Sequence, residues 1–141
     1  MFRFVLSLFL ILFLGLIQLS GGVFINGLKP NLVLCFVIVA SSFSRNWFER
    51  VMLVLVGAIV LKFHPGFSWD DILFIAVAFI GVLLVKYLRW QTGISIIMAV
   101  IVSTILLNIY NLSPALGIEI IMNLATAIIM YAGLKTLYEA K

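Results

Sequence analysis

Charged side chains are scarce in this chain: nine Lys and Arg and five Asp and Glu among 141 residues, 10% of the total, against 65% hydrophobic residues. A soluble domain carries about a quarter charged residues. That shortage, with a mean hydropathy of +1.32, excludes an ordinary water-solvated globule and predicts an integral membrane protein. The single cysteine, Cys35, excludes an internal disulfide and reads as a small buried apolar residue. With one histidine, His64, there is no His or Cys pair at ligand spacing and no Ser/His/Asp arrangement, and no Gly-rich phosphate loop appears. Neither a metal nor a cofactor is expected, and no enzyme chemistry is visible. No internal repeat or low-complexity tract is present.

What the chain does have is apolar stretches, near residues 2–19, 30–44, 48–63, 70–86, 92–111 and 114–134. They predict an all-α bundle of six transmembrane helices in one domain, 1–141. The basic residues alternate between the gaps. Arg3, Arg45, Arg50, Lys86, Arg89, Lys135 and Lys141 fall on one side with Glu49 and Glu139, a net of +5; Lys29 and Lys62 fall on the other with Asp70, Asp71 and Glu119, a net of −1. Short loops rich in Lys and Arg stay in the cytoplasm, so both termini are expected there. The sequence pI of about 9.5 does not imply a nucleic-acid partner, because the cations are scattered singly beside apolar stretches. Membrane orientation and anionic headgroups explain them.

Two features complicate six full spans. At about 1.5 Å per residue, segments two and three reach only some 22 and 24 Å, short of a hydrocarbon core about 30 Å thick. They are expected to be short spans extended by Trp47, Phe48 and a snorkelling Lys62 rather than a re-entrant pair, which would put Arg45 and Arg50 on the wrong side. Residues 1–22 also have the outline of a cleavable secretory signal, but its removal would leave five spans, and an intact first helix is expected. Boundary signals agree with the segments. Ser68-Trp-Asp-Asp71 matches a capping box that starts helix four. Ser113-Pro114 reads as an N-cap and first position of helix six, and Pro30 as the opening of helix two after Asn26-Gly27. Trp69 and Tyr110 form an aromatic belt at the outer interface; Trp47, Tyr87, Trp90 and Tyr138 form one at the inner.

Candidate functional residues lie on helix faces. Ser95, Ala99 and Ser103 recur every four residues on helix five and form a small-residue face, for packing inside the bundle or for docking another membrane protein. Thr104 and Asn108 continue it as a polar strip. Gly57-Ala58 and Ala76, Ala78 and Gly81 are similar but less regular. Glu119 is the one ionisable residue expected at membrane depth, with Asn123 four residues on; the pair either hydrogen-bonds within the bundle or meets a partner.

The run Lys29-Pro-Asn-Leu-Val-Leu34, a Gly57-containing helix followed by a Pro/Gly turn, and a last helix of the form Glu119-x-x-x-Asn123-Leu-x-x-Ala127 with a basic tail resemble the rod-shape-determining MreD family over residues 25–138. One position departs: where many relatives carry an acidic residue one turn after the helix-three glycine, this chain has Leu61 and then Lys62. The resemblance implies a non-enzymatic scaffold in the bacterial inner membrane. Its partner would be an MreC-like protein, and through it MreB, RodA and a class B penicillin-binding protein of the cell-elongation, peptidoglycan-synthesising machinery. Contacts are expected at Ser95, Ala99 and Ser103 or at Glu119 and Asn123. An alternative class is the substrate-binding component of an energy-coupling-factor vitamin transporter, with Asn26, His64, Trp69, Tyr110 and Asn111 as outer contacts. Helix one, however, offers only Ser7 and Gly15 where an Ala-x-x-x-Ala docking motif is usual.

Overall fold

A computed structural model of the chain describes residues 2–20, 30–61, 68–88, 91–110 and 113–139. These residues are all-α, with no strand among them. The six helices are α1 (Phe2–Leu19), α2 (Leu32–Phe43), α3 (Trp47–Leu61), α4 (Trp69–Tyr87), α5 (Thr92–Leu107) and α6 (Leu116–Glu139). By length and composition, one of them, Leu116–Glu139, is long and apolar enough to cross a membrane; Arg3–Leu19, Leu32–Phe43 and Thr92–Leu107 are apolar but shorter.

The arrangement is organised around α2, which packs against all five other helices. Its ten residues from Leu32 to Ser41 are all buried. A helix that is apolar on every side belongs in a core or in lipid; Leu-Val-Leu-Cys-Phe-Val-Ile-Val-Ala meets that condition, and here its neighbours enclose it. Its shortness follows from the same position, since a central helix needs only the length of the neighbours' shared contact.

Both ends of this helix are closed by the protein's own groups. At its start the Leu32 amide donates to the Pro30 carbonyl at 3.0 Å, Val33 to the Gln18 side chain at 3.0 Å, and Leu34 to the side chain of the N-cap Asn31 at 3.1 Å. At its end Ser41, Ser42 and Ser44 donate their hydroxyls to the carbonyls of Ile38, Val39 and Ala40. Arg50 reaches over from α3 and donates to the carbonyls of Ser41 at 3.2 Å and Ser44 at 2.8 Å. Helix ends ordinarily leave such groups to water.

Contacts between the helices order them up and down. Arg3 at the start of α1 donates to the Tyr138 carbonyl at the end of α6, and Phe43 at the end of α2 stacks on Tyr131 and meets Tyr138 edge-on. Trp47 at the start of α3 stacks on Phe79 and lies under Lys86, toward the end of α4. Arg3, Arg50 and Lys86 therefore share one end of the molecule. At the other end lie Gln18, Asn31, Asn108 and Glu119.

Element boundaries on three helices differ from expectation. Pro30 does not open α2; it precedes Asn31, whose side chain caps the helix. Pro114 is likewise outside α6, because Ser113 and Pro114 form a turn closed by the Leu116 amide on the Ser113 carbonyl at 3.0 Å. The helix then runs five residues past the expected 134, since Leu134 and Tyr138 bury their side chains one turn apart. α5 stops at Leu107, where the Asn108 amide group turns back to the Thr104 carbonyl. The capping box at Ser68 is present in full, with Ser68 and Asp71 each accepting the other's amide. Asn26-Gly27, Lys62, His64 and Trp90 lie outside the described residues.

Candidate functional site

The polar side chains that the sequence scatters over four helices meet at the end opposite the basic one. Gln18, the last residue but one of α1, accepts from the Val33 amide and donates to Asn31 Oδ1 at 3.4 Å. The Asn31 amide donates to Asn123 Oδ1 at 2.8 Å. Asn123 Nδ2 donates to Thr104 Oγ1 at 3.0 Å, and that hydroxyl donates to the Val100 carbonyl at 2.8 Å. Asn108 Nδ2 donates to the Thr104 carbonyl at 3.0 Å and to Glu119 Oε2 at 2.9 Å. Cys35 closes the inner side by donating its thiol to the Asn123 carbonyl at 3.4 Å.

The result is a continuous hydrogen-bonded chain from α1 through α2, α6 and α5 and back to α6. Asn123 is 4% exposed and Thr104 1%, so the middle of the chain is out of reach of solvent, while Asn108 and Glu119 are half-buried at its open end. No buried side-chain nitrogen or oxygen among the described residues lacks a partner. A saturated network of this kind fixes the register of its helices. Glu119 holds its carboxylate on an amide and faces no cation among the described residues. No group of three or more His, Cys, Asp or Glu that could hold a metal occurs among them either.

Sequence reasoning placed Glu119 and Asn123 on one face, and the structure puts both in this network, with Asn123 as its centre. Gln18 is a further member, and the signal for it is a lone amide after the apolar run of residues 8–17. Asn31 was read only as part of a motif, and its two roles as cap and donor depend on where α6 passes.

The small-residue face of α5 has a different fate. Ser95, Ala99 and Ser103 are buried inside the chain. Ser95 and Ser103 donate to the carbonyls of Leu88 and Val77 at 3.5 Å, and Ser103 Oγ lies 2.7 Å from where a Cβ on Gly81 would stand. Of the two uses open to this face, packing inside the bundle is the one seen in the structure, with α4 lying against it. Gly57 similarly lies against Val33 and Val37 of α2.

Trp69, Asp70, Ile72, Leu73, Ala76 and Tyr110 line an open cleft of about 170 Å³. Ligand pockets run upward from roughly 300 Å³. His64, Asn26 and Asn111, the other outer residues weighed for ligand contact, lie outside the described residues. Comparison with family models, curated proteins and solved structures returned no match, so the functional reading rests on the residues themselves.

Proposed function

We propose that the chain is a six-span protein of the bacterial inner membrane, both termini cytoplasmic, acting as a non-enzymatic MreD-like scaffold of the cell-elongation machinery. The observation that carries the membrane part is an apolar outer surface around an interior that also holds polar side chains. Ser7, Ser41, Ser95, Ser103, Thr104 and Asn123 are buried, while Phe9, Phe13, Leu16, Ile59, Ile121 and Ile129 are each more than 60% exposed. Water-soluble monomers rarely expose such contiguous apolar surface. A lipid solvent accounts for it, and also for the side-chain hydrogen bonds at both ends of α2, because hydrocarbon offers unpaired backbone groups nothing. The sharing of one end by Arg3, Arg50 and Lys86 fits the charge alternation. Short α2, enclosed by its neighbours, needs no lipid-matched length of its own.

The scaffold part is supported by the motif residues that carry the family resemblance. Asn31 bonds Asn123, Gly57 packs on the helix that Asn31 caps, and Ala127 is buried one turn beyond Asn123. These positions act together around α2 instead of being separate matches in apolar sequence.

With the α5 face filled, the partner surface moves to α6, which packs chiefly on α2 and α5 and is otherwise open. Gly117, Ile121, Ala125, Ile128 and Ala132 are exposed at spacings of four, four, three and four, forming one stripe in which small residues let a single-span helix approach closely. Glu119 lies two residues from the head of this stripe. Co-expression with an MreC-like protein and affinity purification in mild detergent tests the assignment. Ala125→Leu is expected to cut recovery of the partner several-fold while leaving the chain folded. Ala99→Leu is expected to lower the yield of folded chain itself. Undiminished partner recovery with both Ala125→Leu and Ala132→Leu would remove α6 as the contact.

A further inference from the structure

We propose that Arg50, Lys86 and Trp47 form a seat for the phosphate of an anionic lipid headgroup at the basic end of the bundle, an inference that rests on the membrane reading. Arg50 is held in place before any ligand arrives. Its Nε and one Nη2 hydrogen are spent on the Ser41 and Ser44 carbonyls at the end of α2, which leaves the rest of the guanidinium unengaged by hydrogen bonds among the described residues. Lys86, from α4, stands with its Nζ 4.2 Å from the Trp47 ring centroid and 5.0 Å from that of Tyr87. Arg50 lies 5.7 Å from the same indole. Taken together, the two centroid distances hold the charges within about 10 Å of each other, near one Debye length, so each is felt by the other.

Two cations drawn from different helices to one indole call for an anion, and the described residues do not supply it. Neither faces a carboxylate among the described residues. The nearest in sequence, Glu49, is turned to the Arg45 amide at 3.3 Å. The aromatic rings attract both cations but do not neutralise them. A phosphate would, with charge-assisted bonds from a guanidinium already oriented for it.

The same geometry selects a lipid over free phosphate. Below Lys86 the surface of α4 continues as exposed Phe79 and Ile80, with Phe79 stacked on Trp47 at 5.9 Å and 13°. Trp47 and Tyr87 are themselves exposed, and rings of this kind settle at headgroup level. A headgroup on Arg50 and Lys86 thus has apolar surface beneath it for an acyl chain.

The test uses the full chain purified in detergent doped with equal phosphatidylglycerol and phosphatidylcholine of matched acyl chains, and retained lipid is read by native mass spectrometry. Wild type is expected to keep phosphatidylglycerol preferentially. Lys86→Gln, an exposed change that leaves the α2 cap intact, should reduce that retention about fivefold. Lys86→Arg should restore it, and Lys135→Gln, an exposed lysine on α6, should leave it unchanged. Equal retention of both lipids by wild type, or equal loss in Lys86→Gln and Lys135→Gln, would overturn the seat. Alkaline carbonate extraction of the source membranes separates the two readings. A chain that stays in the pellet but shows no lipid preference defeats the lipid seat alone, whereas release into the supernatant defeats the membrane reading and the seat with it.

Discussion

Asn123 joins three helices with one amide: it stands on α6, accepts from the Asn31 backbone of α2 and donates to Thr104 of α5. Replacing it with Leu strands a part-buried backbone amide and removes Thr104's donor, for a cost of about 1–3 kcal/mol. The check is thermal unfolding in detergent, where Asn123→Leu is expected to lower the midpoint clearly. Glu119 behaves differently because Asn108 needs only an oxygen to donate to. Glu119→Gln keeps that acceptor and is expected to change stability by no more than about 0.5 kcal/mol, while Glu119→Leu should be measurably worse in the same assay. If the two variants unfold alike, the Asn108 hydrogen bond is not what Glu119 provides to the fold. The sequence made these two residues visible as the polar exceptions in an apolar helix. It could not reveal Asn31 as their partner, since residues 92 positions apart meet only through the path of α6 past the start of α2.

Among the helices, α2 has the most to explain, being the shortest and the most completely covered. Its apolar residues on every side were legible as a buried helix, and its length was the difficulty. Resolution came from topology: five neighbours enclose it, and serine hydroxyls and Arg50 close its last turn. On α5, the four-residue spacing of Ser95, Ala99 and Ser103 identified a packing face. Periodicity states which residues share a face but not which neighbour they meet, and Gly81 of α4 turned out to be that neighbour. Gly81→Leu is therefore expected to destabilise by about 2 kcal/mol or more, since even a Cβ would come within 2.7 Å of Ser103 Oγ and 2.9 Å of Ile38 Cδ1. Gly133 is the contrast: nothing lies within 4 Å of where its Cβ would stand. Gly133→Ala on α6 should stabilise by about 0.5–1 kcal/mol through helix propensity alone. Chemical denaturation of both variants in one detergent reads the two signs, and a neutral Gly81→Leu would contradict the close α4–α5 approach.

Taken as a body, the molecule has a polar network at one end, a cation and aromatic cluster at the other, and exposed apolar side chains between them. In the proposed lipid setting hydrophobic burial does not drive the helices against one another, because lipid tails are as apolar as leucine. Close packing around Gly57 and Gly81 and the two hydrogen-bonded ends take over that task. The order of charges along the chain already implied two unlike ends, whereas the identity of the outward faces depended on which helix sits at the centre. Cysteine accessibility in intact cells, on a Cys35→Ala background, bears on the orientation of these ends. With a membrane-impermeant maleimide added from outside, Tyr110→Cys and Trp69→Cys are expected to label, and Asn46→Cys only after the membrane is permeabilised. Labelling of Asn46→Cys in intact cells, with Tyr110→Cys protected, would contradict the proposed orientation and with it the cytoplasmic placement of Arg50 and Lys86.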